Sequence, residues 1–144
     1  MPTLEYTVTI NKPISEVFAF VSRPENMPKW AQNVTEAIQT SEGPVQVGTT
    51  CSVVSKAMGK QLDQDFVVTE YEPDRVYAAK TTVSPFPMET RYTLKAVDGG
   101  TIVHAETSAE LGGFMKMAGP LLAVMLKKQF KADHEALKKL LESQ

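Results

Sequence analysis

Thr3-Leu4-Glu5-Tyr6-Thr7-Val8-Thr9-Ile10-Asn11-Lys12-Pro13-Ile14-Ser15-Glu16-Val17-Phe18-Ala19-Phe20-Val21 changes its hydrophobic period once, at Asn11-Lys12-Pro13. Before that point Leu4, Tyr6, Val8 and Ile10 alternate with polar residues, the period-2 mark of a half-buried strand. After it Ile14, Val17, Phe18 and Val21 recur at helical spacing and make one apolar stripe. Asn11 is placed to cap this helix, and Pro13 suits its first turn. Ser22-Arg23-Pro24-Glu25 has capping-box spacing, so a second short helix is expected to begin there and run toward Trp30. A strand followed by two short helices excludes a pure β-barrel.

Downstream, from about Asn33 to Leu111, strands alternate with tight turns. Ser41-Glu42-Gly43-Pro44, Met58-Gly59-Lys60, Glu72-Pro73-Asp74-Arg75, Ser84-Pro85-Phe86-Pro87 and Asp98-Gly99-Gly100 are the breaks. Asp98-Gly99 reads as a type I′ hairpin turn, because Gly adopts positive φ without strain. Six strands joined by sequential hairpins imply an antiparallel meander. With the opening strand the sheet is expected to have seven. A long helix closes the chain from about Pro120 to Glu142, with Leu122, Leu126, Phe130, Leu137 and Leu141 on one stripe. Lys127, Lys128, Lys131, Lys138 and Lys139 read as its solvated face. No repeat, low-complexity segment or linker divides the chain, so residues 1–144 are expected to form one domain.

Composition narrows the partners. The formal charge of -2 argues against a nucleic-acid partner. Cys51 stands alone, so no intrachain disulfide can form. The opening residues lack a basic stretch followed by an apolar run, which makes the cytoplasm the expected location. The most apolar stretch, Gly112 to Leu126, is interrupted by Lys116, Gly119 and Pro120 and falls short of the roughly 20 residues a spanning helix needs. Stable membrane insertion is not expected. The oligomeric state is open, a homodimer included.

Three segments resemble one family. Lys12-Pro13-Ile14-Ser15-Glu16-Val17-Phe18-Ala19-Phe20-Val21-Ser22 resembles the first-helix signature of the polyketide cyclase/dehydrase-and-lipid-transport family, within the START-like superfamily. Pro24-Glu25-Asn26-Met27-Pro28-Lys29-Trp30 is similar to its second-helix motif, and Asp133-His134-Glu135-Ala136-Leu137-Lys138-Lys139-Leu140-Leu141-Glu142 to its helix ending. Val47-Gly48-Thr49 and Val68-Thr69-Glu70-Tyr71-Glu72-Pro73 also match it. Arg23 departs from the acidic residue common before the Pro, and His134 from a position more often apolar. The resemblance covers essentially the whole chain. It implies an α+β helix-grip fold, in which a curved seven-stranded antiparallel sheet wraps a long C-terminal helix. It also implies an apolar cavity for a small hydrophobic molecule, whether lipid-, aromatic- or polyketide-like.

Candidate chemistry is sparse. His104 and His134 are the only histidines, and His104-x-Glu106 offers too few ligands, so no metal or other cofactor is expected. Cys51 reads as a small buried hydrophobe. His134, four residues after Phe130 and three before Leu137, lies on or beside the buried stripe, where an imidazole can act as acid or base or be tethered by a hydrogen bond. Tyr92 shares a strand face with Leu94, so its hydroxyl is a ligand anchor, a core hydrogen bond or a catalytic group. Gln64 shares a face with Phe66 and Val68. Val103, Ala105, Thr107 and Ala109 form a face of small residues that leaves room under the helix. Trp30, Met88, Leu126, Met115, Met117 and Leu122 complete the expected lining, and Phe86 between two prolines is the expected lid. The leading function is a binder or carrier of a hydrophobic ligand. The alternatives are a cyclase- or dehydratase-type enzyme using His134 or Tyr92, and a membrane- or partner-interaction module using Phe114, Met115, Met117 and Leu121.

Overall fold

The computed structural model runs β1 (Thr3–Ile10), α1 (Ile14–Val21), a 3-10 turn (Pro24–Asn26), α2 (Met27–Trp30), β2 (Val34–Gln39), β3 (Thr50–Ala57), β4 (Lys60–Glu72), β5 (Val76–Val83), β6 (Met88–Val97), β7 (Gly100–Ala109) and α3 (Gly112–Glu142). The structure describes residues 3–57, 59–84, 87–109 and 112–144, the side chains of 57, 112–120, 122 and 123 excepted.

The strands form one curved antiparallel sheet in the order β1-β7-β6-β5-β4-β3-β2. β2 to β7 are hairpin neighbours in turn. β1 pairs with β7 from Thr3↔Ser108 to Ile10↔Thr101. The chain therefore leaves the sheet at one edge and re-enters at the other, and α1 and α2 carry it across. The start of β7 has no room for a side chain at Gly100, where an added Cβ would lie 2.5 Å from the Ile10 carbonyl oxygen. In the β6–β7 turn Gly99 has φ 76, while Asp98 is not among the residues with positive φ. A type I′ turn needs positive φ at both positions, so the expected turn type is corrected to one with a single positive φ at its second position, the sign pattern of type II.

Three local expectations are corrected by the structure. The closing helix begins at Gly112 rather than near Pro120, and Pro120 lies inside it. Pro at this point removes one intrahelical donor but does not end the helix. Asn11 does not cap α1, whose N-cap position is Pro13 without a side-chain bond. Its backbone N–H instead donates to Glu142 Oε2 at 2.8 Å. The capping box at Ser22 does not form either. Arg23 precedes the 3-10 turn with no side-chain cap, and Pro24 brings no N–H that would need one.

α3 is fastened along β1. Leu137 and Leu141 enter a core that includes Ile10, Val17, Phe18 and Val103. Lys138, expected on the solvated face, is half-buried; its Nζ donates to the Thr9 carbonyl at 2.6 Å and pairs with Glu142 at 2.7 Å. β1 is an edge strand, and this lysine bonds a carbonyl on it. Leu137→Ala should lower the urea-unfolding stability by about 2–5 kcal/mol, since the site is 0 % exposed. Leu121→Ala, at a site 70 % exposed, should change it by less than about 0.5 kcal/mol. Circular dichroism of both variants checks the pair, and equal midpoints would contradict the docking.

Candidate functional site

The core fills only part of the space beneath the sheet. Past His134, toward the start of α3, the side chains stop meeting and leave a cavity of about 290 Å³. Its walls are mainly the concave faces of β3 to β6, the Leu126–His134 stretch of α3, and Trp30 and Met27 of α2, with Leu4, Val21, Val34 and Thr107 at its margins. The wall is mostly apolar, with aromatic rings from Trp30, Phe66, Tyr77, Tyr92 and Phe130.

His134 stands where packed core meets cavity and is bonded at both nitrogens. Nδ1 lies 2.8 Å from the Phe130 carbonyl, and Nε2 lies 3.2 Å from Tyr92 Oη. The Trp30 ring sits 5.3 Å from the imidazole and meets Tyr92 edge-on at 6.4 Å. Burial lowers the pKa of His134, outweighing the Phe130 carbonyl and Asp133, which raise it. Burial also pushes the Tyr92 hydroxyl well above the ordinary phenol range, with smaller contributions from Tyr77 and Asp133. Both groups therefore rest neutral at pH 7.

Several other polar groups in the wall are paired as well. Gln64 Nε2 donates to Ser84 Oγ at 2.8 Å and faces Met88 Sδ at 3.6 Å. Thr90 and Thr107 share a hydroxyl bond of 3.2 Å. Asp133 Oδ1 accepts from the Gln32 N–H and from Gln129 Nε2. Cys51 is buried, and burial with the Glu25 and Asp65 charges pushes its thiol up to about 11, so it carries little thiolate.

Of the residues expected in the site, the structure brings Trp30, Gln64, Phe66, Met88, Tyr92, Leu126 and His134 to one cavity wall. Trp30 is 6 % exposed. Val68 and Ala105 are not among its lining residues and lie in the packed core. Ala105 lies between Tyr6 and Tyr92 in the sheet register and has no exposed surface. Val68 belongs to the packed cluster with Phe18 and Tyr77. Phe86 and the side chains of Met115, Met117 and Leu122 lie outside the described residues, as do those of Phe114 and Lys116. Leu121 is exposed with Val124 and Met125.

Tyr77, Ala79, Cys51, Val53 and Asp133 line the wall without having been singled out for it. Asp133 was visible as the neighbour of His134. Tyr77 and Ala79 were not, because β5 buries Val76, Tyr77, Ala78 and Ala79 in succession and has no alternation there to read. On the outer sheet face, His104, Glu106 and Glu5 bring three donor atoms within 4.8 Å of one another. His104 is already bonded on both nitrogens, to Thr7 Oγ1 at 2.7 Å and Glu106 Oε1 at 3.0 Å.

The chain matches the family described as polyketide cyclase / dehydrase and lipid transport over residues 1–142. It belongs to that family. Solved structures share its fold at low identity. TTHA0849 from Thermus thermophilus superposes with a TM-score of 0.79 at 16% identity, over 96% of this chain and 95% of that one. A START superfamily protein from Mycobacterium smegmatis gives 0.73 at 16% identity, over 98% and 94%. The di-domain ARO/CYC BexL from the BE-7585A biosynthetic pathway gives 0.76 at 16% identity, over 99% of this chain and 47% of that one. No curated protein matches the chain by sequence. No helix among the described residues is long and apolar enough to cross a membrane.

The buried imidazole makes stability depend on pH. Its folded pKa lies below the unfolded value of about 6.5, so the unfolded chain takes up a proton first as pH falls. Stability should therefore be intact above the unfolded pKa and decline from pH 7 toward pH 5.5, with a slope of at most about 1.4 kcal/mol per pH unit. His134→Phe should flatten that slope. Urea midpoints across the range check this, and an unchanged slope in the variant would assign the dependence elsewhere.

Proposed function

We propose that this family member binds or carries a small hydrophobic molecule in the cavity between its sheet and α3, the whole chain acting as one binding domain. The observation that carries the reading is an aromatic-rich space of about 290 Å³ that the protein's own side chains do not fill. That volume lies at the lower end of the range of ligand pockets, about 300–1,000 Å³, and suits a molecule of a few rings. An apolar void forfeits dispersion contacts that a matching ligand restores. The family's description and the cyclase among the similar folds support ligands of polyketide or lipid character.

Protonation favours binding over catalysis at Tyr92 and His134. Burial makes the phenol a poor acid and the imidazole a poor base, and each already occupies the other. Efficient proton transfer wants a pKa near the working pH. The pair is therefore better suited to orienting a ligand than to exchanging protons with it.

A neutral naphthalene fluorophore should bind saturably, one per chain, with a negative heat-capacity change as apolar surface leaves water. Ala79→Phe, which projects a ring from the cavity wall, should abolish binding, while Leu121→Ala on the outer face of α3 should leave it intact. Titration calorimetry checks both. An Ala79→Phe protein with native circular dichroism and undiminished binding would move the site elsewhere.

A further inference from the structure

We infer that the cavity anchors its ligand by an oxygen acceptor, such as a ketone or ether oxygen, at the indole N–H of Trp30. The inference rests on the cavity being the ligand site, and it names the chemistry that this site recognises.

Two residues of the wall are more than nine-tenths buried and yet keep a polar atom without a partner. Trp30 is 6 % exposed and Tyr77 8 %, and among the described residues neither side chain makes a hydrogen bond. No described buried side-chain nitrogen or oxygen lacks a partner, so Trp30 Nε1 and Tyr77 Oη each reach open space instead of packed core. The space whose wall both residues form is the cavity. The other wall residues buried this far that carry a nitrogen or oxygen side-chain group, Gln64, Tyr92, Thr107 and His134, are already bonded within the protein. Asn33 is exposed and Ser55 half-buried, so outside water can serve them.

The two open groups ask different things of a ligand. A hydroxyl gives and takes hydrogen bonds, so Tyr77 suits a donor or an acceptor alike. An indole N–H can only donate. The Trp30 ring meets Tyr92 edge-on at 6.4 Å and lies 5.3 Å from His134, and these neighbours hold the direction of its N–H. Water meets the need of this donor until a ligand expels it. A wholly apolar ligand then leaves the N–H buried and unpaired, which costs more than a typical hydrogen bond contributes. A ligand oxygen at the same place turns that burial into a bond. The requirement is for a lone pair, which a ketone, an ether or a hydroxyl oxygen supplies.

Trp30 is the only tryptophan of the chain, so the 15N-labelled protein gives a single indole N–H signal. 2-Acetonaphthone should bind and move that signal downfield. 2-Isopropenylnaphthalene, which has the same shape with a methylene group in place of the oxygen, should not, and the ring currents common to both ligands cancel in the comparison. Replacing Trp30 by 3-benzothienylalanine exchanges the N–H for sulfur and keeps the shape of the ring. It should weaken 2-acetonaphthone about 3–10-fold, the worth of one neutral hydrogen bond, without weakening the isopropenyl analogue. Displacement of bound N-phenyl-1-naphthylamine measures these affinities. An indole signal that both ligands move alike, or a benzothienyl protein that binds the ketone as tightly as the wild type, would overturn the anchor while leaving the cavity as a ligand site. A wild-type protein that binds neither ligand would overturn the ligand-site reading, and the anchor with it. The wild-type spectra decide the matter even if the benzothienyl protein fails to fold.

Discussion

One helix cannot cover seven strands. Strands spaced about 4.8 Å apart make a sheet roughly 30 Å wide, while a helix with its side chains spans about 10–12 Å. Curvature narrows the gap without closing it. α3 resolves the mismatch by leaning to one side, held on β1 by Lys138 and Glu142 and by Leu137 and Leu141 in the core. α1 fills the space beside it, where Phe18 meets Tyr71 edge-on at 5.4 Å. The remaining concavity, mainly under β3 to β6, is closed among the described residues by α2, the Leu126–His134 part of α3 and the edge of α1 at Val21. The cavity is thus a residue of geometry, and the fold keeps it because no further element is available to fill it.

A hollow of this kind imposes a condition on its polar groups. Those buried in it need a partner. No described buried side-chain nitrogen or oxygen lacks a hydrogen-bond partner. The bonds also have direction. His134 shows this most plainly. One backbone carbonyl determines the tautomer, and the tautomer determines the sense of the Tyr92 bond. A residue that looks like a stray polar group on an apolar helix face is thus bonded at both nitrogens.

The fold was largely legible from residues because its signals are local. The change of period at Asn11, the spaced turns and the Leu137–Leu141 stripe each reflect neighbours in sequence. What escaped were features decided across the chain. Pro120 looked like a helix start because Pro favours first turns, yet α3 begins at Gly112. Asn11 looked like a cap until Glu142, 131 residues away, took its N–H. In the site, alternation distinguishes the two faces of a strand but not the position along a curved one. Ala105 and Val68 therefore share an inward face with true wall residues yet lie in the packed part, and register shifts at Asp65/Phe66 and Val68/Glu70 in β4 blur the count further. β5, buried at four successive positions, offers no face to choose. The direction of a hydrogen bond at His134 was beyond any pattern, because it depends on three groups from two elements.

The pairing of β1 with β7 has a consequence for biosynthesis. Thr3 and Ser108 are 105 residues apart in sequence and neighbours in the sheet. At translation rates of about 5–20 residues per second, β1 emerges roughly 5–20 seconds before its partner exists. Through that interval Leu4, Tyr6, Val8 and Ile10 form a strand-prone apolar segment with no edge to join. The meander from β2 to β7 can zip up hairpin by hairpin as it appears, but the opening strand must wait for the last one. β1 is therefore the strand most exposed to misassociation during synthesis, and its pairing with β7 is the contact with the greatest loop-closure cost in the sheet.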